Sequence, residues 1–161
     1  MDAYRQQQVT AYFALMEAGE LLKHHVEEQL RRDGDLSYVQ FRLLAQLADR
    51  GGTCRMTDLA DGVVYSRAGL TYQAAVLEKA GLVTRGPSPT DERSVEVTLT
   101  PQGQARLETV VPGHVDLVAR ELFGELTPAD VAAMADVLGR VRDRLRATPP
   151  RSAKSRRSSQ A

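Results

Sequence analysis

Residues 63–104 read VVYSRAGLTYQAAVLEKAGLVTRGPSPTDERSVEVTLTPQGQ. The order is a polar-faced helix, a strand, a Pro/Gly-rich turn carrying Asp-Glu-Arg-Ser, a second strand and a new helix start. At 100° per residue, Leu70, Ala74 and Leu77 share one helix face, while Ala68, Thr71, Tyr72, Ala75 and Lys79 lie opposite. Ser66 is an N-cap residue type and Gly81 a C-terminal stop, with Ser66 and Arg67 in the exposed first turn. Leu82–Arg85 and Val95–Leu99 form a hairpin, because Val95, Val97 and Leu99 alternate with Glu96 and Thr98. The intervening Gly86-Pro87-Ser88-Pro89 is expected to break the ladder and leave a projecting loop. A helix with a small, polar outer face followed directly by a two-stranded wing has the shape to read a DNA major groove and touch the adjacent minor groove.

The flanking sequence is helical. Val9, Tyr12, Phe13, Met16, Leu21, Leu22, His25, Val26 and Leu30 recur at spacings near three and four, so residues 3–32 read as one long helix. Gly34 and Asp35 end it. Ser37 is the expected N-cap of a second helix with Phe41, Leu44, Leu47 and Ala48 inside, and Gly51-Gly52 stops that helix. Thr53–Met56 reads as a short extended piece, with Thr57 capping a third helix. Thr100-Pro101 supplies an N-cap and an N1 proline for a fifth helix, which Pro112-Gly113 is expected to interrupt and bend. Thr127-Pro128-Ala129-Asp130 repeats the capping signal for a sixth helix, striped by Val131, Met134, Leu138, Val141 and Leu145.

A chain of 161 residues suits one domain with a full core, or a smaller domain plus an oligomerisation element. The division expected is 1–35 with 101–147 as a helical dimerisation region, 36–100 as a DNA-binding domain and 148–161 as a disordered basic tail. Formal net charge is zero. The tail holds Arg151, Lys154, Arg156 and Arg157 and no acid, so it carries +4 and residues 1–147 carry −4. A mildly acidic body still attracts phosphate where its basic groups share a face, since local potential matters more than the sum. The terminal helices carry more apolar stripe than so small a core can cover, which a second copy of the chain would bury.

No apolar run approaches the roughly eighteen residues a membrane span needs, and the N-terminus lacks the apolar core of a secretory signal, so a cytoplasmic protein without membrane contact is expected. The single cysteine, Cys54, excludes an intramolecular disulfide and reads as a packed thiol. His24 and His25 point about 100° apart on their helix, so with Glu27, Glu28 and His114 they read as surface or packed residues and not a metal site. No nucleophile–base pairing, phosphate-cradling loop or spaced carboxylate pair is present, so neither an enzyme nor a cofactor is expected.

Four stretches in order resemble the MarR family of bacterial transcriptional regulators, over about residues 5–147. They are Leu36 to Leu44 (LSYVQFRLL), Thr57 to Ala60 (TDLA), Leu70 to Arg85 (LTYQAAVLEKAGLVTR), and Asp91 to Ser94 (DERS) followed by Leu99 to Gly103 (LTPQG). The chain departs from the family's usual pattern at Gly69, which costs helix propensity near the start of the fourth helix. The resemblance implies a mainly α fold with a small β-wing: a winged helix-turn-helix with N- and C-terminal dimerisation helices, working as a homodimer on a palindromic operator in double-stranded DNA. Carried over by position, Ser66, Arg67, Ala68, Thr71, Tyr72 and Gln73 would face the major groove. Arg93 would enter the minor groove, with Asp91 holding its guanidinium and Ser94 beside it in the wing. A planar, permanently charged fork suits a narrow negative groove.

The expected activity is repression released by a small aromatic or phenolic effector, bound where the first, second and fifth helices meet the winged domain. Tyr12, Phe13, Met16 and Tyr38 are the candidate lining residues. The rival reading is a winged-helix module for protein association or general architectural DNA binding, with no effector.

Overall fold

The computed structural model describes residues 2–62, 67–89 and 91–147. The elements in order are α1 (Ala3–Gly34), α2 (Tyr38–Asp49), β1 (Thr53–Arg55), α3 (Met56–Gly62), α4 (Arg67–Lys79), β2 (Val83–Ser88), β3 (Asp91–Leu99), α5 (Pro101–Glu121) and α6 (Pro128–Ala147). They fall into two units, Met1–Ala119 and Arg120–Ala161. Residues 148–161, the basic tail, and Ser66 lie outside the described residues. Among those described, no helix is long and apolar enough to cross a membrane.

Local chemistry sets the ends of these elements. Asp2 caps α1 by accepting from the Arg5 N–H at 2.8 Å. Asp35 closes it in a left-handed conformation at φ 50°, with its own N–H returned to the Arg31 carbonyl. Ser37 and Gln40 form a reciprocal capping box at the start of α2. Gly51 and Gly52 both take positive φ, the turn that lets the chain leave α2 and enter β1.

α3 begins at Met56, directly after β1, so Thr57 lies inside the helix and does not cap it. The strand passes straight into the helix and leaves no room for a cap residue at 57.

The first unit has one core. Val26 and Leu30 of α1, Phe41, Leu43, Leu44 and Leu47 of α2, and Leu59 of α3 meet Leu70 and Leu77 of α4, Val83 and Val97 of the sheet, and Leu107, Val110 and Leu117 of α5. The three-stranded antiparallel sheet has the order β1-β3-β2. Cys54 pairs with Val97 in it and is buried, as a packed thiol should be.

Two further sequence expectations need correction. The β2–β3 ladder does not stop at Arg85: Gly86 pairs with Glu96 and Pro87 with Val95. β2 is an edge strand, where a proline's missing N–H leaves no ladder position unfilled on the open side. The ladder then jumps, because Ser88 pairs with Asp91. Residues 92–94 are thus inserted between the partners of adjacent residues Pro87 and Ser88, a bulge at the tip of the wing.

α5 likewise runs unbroken through Pro112. The carbonyl deprived of its donor belongs to Glu108, which is exposed and open to water. Gly113 marks a close approach of α1 and α5, since a Cβ there would lie 2.6 Å from Asp33 Oδ2 and 3.1 Å from Gln29 Nε2. Buried Gln29 spans the same contact, donating from Nε2 to the Val110 carbonyl at 3.1 Å.

Other apolar residues of α1 and those of α6 are left open. Tyr12 is 58 % and Phe13 63 % exposed on α1. In the second unit α6 is capped by Thr127, whose N–H and hydroxyl both donate to Asp130 Oδ2. Those bonds hold the Asp130 carboxyl below the usual range. None of the α6 residues is buried, and Val137, Leu138, Val141 and Leu145 stand exposed.

Candidate nucleic-acid interface

α4 is amphipathic in the sense its sequence dictates. Leu70, Ala74 and Leu77 are each at most 2 % exposed, whereas Ala68, Thr71 and Tyr72 face outward, Tyr72 at 65 %. A helix so divided is anchored by its apolar side and offers hydroxyl, methyl and phenol groups to whatever docks. Arg67 opens α4, its side chain lying outside what is described. Gln73 sits on the flank, half-buried, and its Oε1 accepts from Gln40 Nε2 at 3.2 Å.

The C-terminal end of α4 is tied to the wing. Gly81 takes φ +74° and turns the chain into β2, with the Leu82 N–H returned to the Leu77 carbonyl. Glu78 reaches across that turn. Its Oε1 accepts the Arg85 backbone N–H at 3.0 Å, and its Oε2 accepts Arg85 Nε at 2.9 Å and Nη2 at 2.6 Å. The hydrogen bonds from the Arg85 side chain are the main reason its carboxyl titrates below the usual range.

The wing's base is locked to α5. The Thr100 hydroxyl donates to the Gly81 carbonyl at 2.7 Å and accepts the Gly103 N–H at 3.0 Å. A Cβ on Gly103 would collide with the Leu82 carbonyl oxygen, so the Leu-Thr-Pro-Gln-Gly run has a steric cause for its glycine.

At the other end Arg93 is exposed within the bulge and Ser94 is half-buried. Asp91 starts β3, and its side chain lies outside what is described. Below the tip, buried Ser88 donates from Oγ to Glu96 Oε1 at 2.8 Å, which closes the sheet under the bulge.

A cavity of about 750 Å³ lies between α1, α2 and α5. Leu22 and Val26 line it from α1, Tyr38 and Phe41 from α2, and His114 and Val118 from α5, with Lys23, Arg42 and Asp49 adding charge. The His114 ring lies 4.6 Å from that of Phe41, and burial pushes its imidazole below the usual histidine range. Gln46 also lines this cavity. Its buried Oε1 and the buried Nδ1 of His114 have no hydrogen-bond partner among the described residues. A mainly apolar cavity edged by Lys23, Arg42, Gln46 and Asp49 suits a small ligand with a few polar substituents.

Of the four lining candidates read from the sequence, Tyr38 is in this cavity. Tyr12, Phe13 and Met16 instead occupy an exposed part of α1 and are not among its lining residues. Gln46 and His114 were not among those candidates: the meeting of the three helices was expected, but no periodicity or motif tells which side chains turn into it. Among the described residues no group of three His, Cys, Asp or Glu could hold a metal ion.

Residues 34–94 match a family model described as the MarR family. The chain is 30 % identical over 112 residues to the HTH-type transcriptional regulator PecS of Dickeya dadantii, covering 68 % of this chain and 67 % of that protein. Among solved structures it resembles Sco3205, a MarR family transcriptional regulator from Streptomyces coelicolor in complex with DNA. The TM-score is 0.84 at 33 % identity, over 92 % of this chain and 91 % of that one. It also resembles BpsR of Bordetella bronchiseptica, whose DNA binding is regulated by 6-hydroxynicotinic acid. There the TM-score is 0.73 at 28 % identity, over 83 % of this chain and 98 % of that one.

Proposed function

This chain belongs to the MarR family and is a DNA-binding regulator of transcription, and on that premise we propose that it acts as a homodimeric, effector-released repressor of a palindromic operator. The observation that carries this reading is the pairing of α4 with the wing. One element offers Thr71 and Tyr72 outward, the other offers Arg93, and Glu78–Arg85 joins them. In this reading Ser66, Arg67, Ala68, Thr71 and Tyr72 meet base edges and phosphates in the major groove. Arg93 enters the minor groove, with Asp91 and Ser94 beside it.

The dimer reading rests on the exposed apolar residues of α1 and of α6, each of which a second copy would bury. Residues 1–35 and 101–147 then form the dimerisation region and 36–100 the DNA-binding domain. Two-fold symmetry presents two copies of α4 about one helical turn of DNA apart.

The effector reading rests on the cavity. An aromatic or phenolic molecule would stack by Phe41 and His114, with Lys23 and Gln46 lining the same cavity beside its polar substituents. Binding that changes the separation of the two α4 helices disfavours docking at both half-sites together, so a small motion costs much affinity.

Selection from a random duplex library tests the core of this. The expected product is an inverted repeat with half-site centres about 10 base pairs apart. Enrichment of an asymmetric site, or of none, would contradict it.

A further inference from the structure

The Gln40–Gln73 hydrogen bond is a polar contact between α2, which walls the cavity, and α4, the helix read as facing DNA. Its donor and acceptor are fixed by a neighbour. Gln40 Oε1 accepts the Ser37 backbone N–H at 2.9 Å, and an N–H can only donate. The carbonyl side of the Gln40 amide is therefore turned toward Ser37, and its NH₂ is the group left to reach Gln73 Oε1 at 3.2 Å. Gln40 thus caps α2 and grips α4 with one side chain.

The position of each partner gives this bond its leverage. On α2, Gln40 lies between Tyr38 and Phe41, which both line the cavity. On α4, Gln73 follows Tyr72 and precedes Ala74, at the boundary between the outward face and the buried one. A bond at that boundary resists rotation of α4 about its own axis, while Glu78–Arg85 fixes the end of the helix. Rotation is the motion that would carry Thr71 and Tyr72 out of register with base edges.

The geometry points to Gln73 as a positioning residue: its amide is engaged by Gln40 and sets the rotation of α4, in place of reading a base itself. The first turn of α2 then serves the cavity and the recognition helix at once. This rests on the reading that α4 docks in the major groove.

A double-mutant cycle on the selected operator tests it. Gln40→Leu, Gln73→Leu and the double variant are titrated at one salt concentration, with melting curves to confirm folding and the base preference of each scored position by position. Because Gln40→Leu also removes half of the capping box, Gln73→Leu alone must give the second readout. The expected result is that each single variant weakens binding by a similar factor, that the double is no worse than either, and that Gln73→Leu lowers affinity evenly across the half-site. Factors that multiply, or preference lost at one base position in Gln73→Leu, would overturn the inference and make Gln73 a base reader. Failure of the wild-type chain to bind any selected duplex would instead remove the functional reading beneath it.

Discussion

The Glu78 carboxylate and the Arg85 guanidinium and backbone form a three-bond clamp across the turn between α4 and β2. The clamp joins α4, the helix proposed to dock in the major groove, to the strand that leads to the wing, so a charged pair and not packing alone ties the two together.

The clamp should be sensitive to acid. Hydrogen bonds from Arg85 hold the Glu78 carboxyl below its ordinary value in the folded chain. A depressed folded value means that its stabilisation is complete above the unfolded-chain value and is lost as pH falls through the folded one. Glu78→Gln should therefore melt less steeply with acidification than wild type between about pH 6 and pH 3. Because the pair is solvent-accessible, the difference should be small and should shrink in high salt. Identical melting profiles would show that the clamp contributes nothing to the fold.

Gly103→Ala should be among the most damaging conservative changes. The new methyl would run into the Leu82 carbonyl and sit 2.8 Å from Leu99 Cδ1, where backbone leaves little room to yield. Overpacking of this kind costs about 1–3 kcal/mol, read by chemical denaturation. A variant as stable as wild type would mean that the wing base and α5 can separate freely.

Arg93→Ala should weaken operator binding about ten-fold or more, the range for a lost charge-assisted contact of about 1.5–3 kcal/mol. Arg93→Lys should restore it only in part, because an ammonium lacks the planar fork. Melting temperature should barely change, since Arg93 is exposed. Wild-type affinity in Arg93→Ala would show that the wing does not touch this DNA.

Thr71→Ala and Tyr72→Ala should weaken binding mainly to the cognate site. A lost base contact costs about 1–3 kcal/mol and relaxes preference at one position. Equal weakening on cognate and random duplex would place both residues against phosphate.

The α4 faces were legible in the sequence because helical periodicity alone separates Leu70, Ala74 and Leu77 from Thr71 and Tyr72. The caps at Ser37 and Thr127 were legible because they are local in the chain. The proline signals misled, at Pro87 and again at Pro112. An edge strand and an exposed helix side both tolerate a missing N–H, and neither circumstance is visible before the fold is known. The cavity was the least legible feature. Gln46 and His114 are brought together by tertiary packing, while the aromatic pair Tyr12 and Phe13, which drew attention in the sequence, stays on an open part of α1.

The most direct test of a dimeric, sequence-reading regulator is a titration of the selected inverted repeat against a duplex with one half-site scrambled, at fixed salt, with the mass of each complex measured. The account predicts two chains on the intact repeat. It also predicts at least about a hundred-fold weaker binding to the half-scrambled duplex, since each lost base pair costs about 1–3 kcal/mol. Equal affinity for the two duplexes, or one chain on the intact repeat, would contradict it.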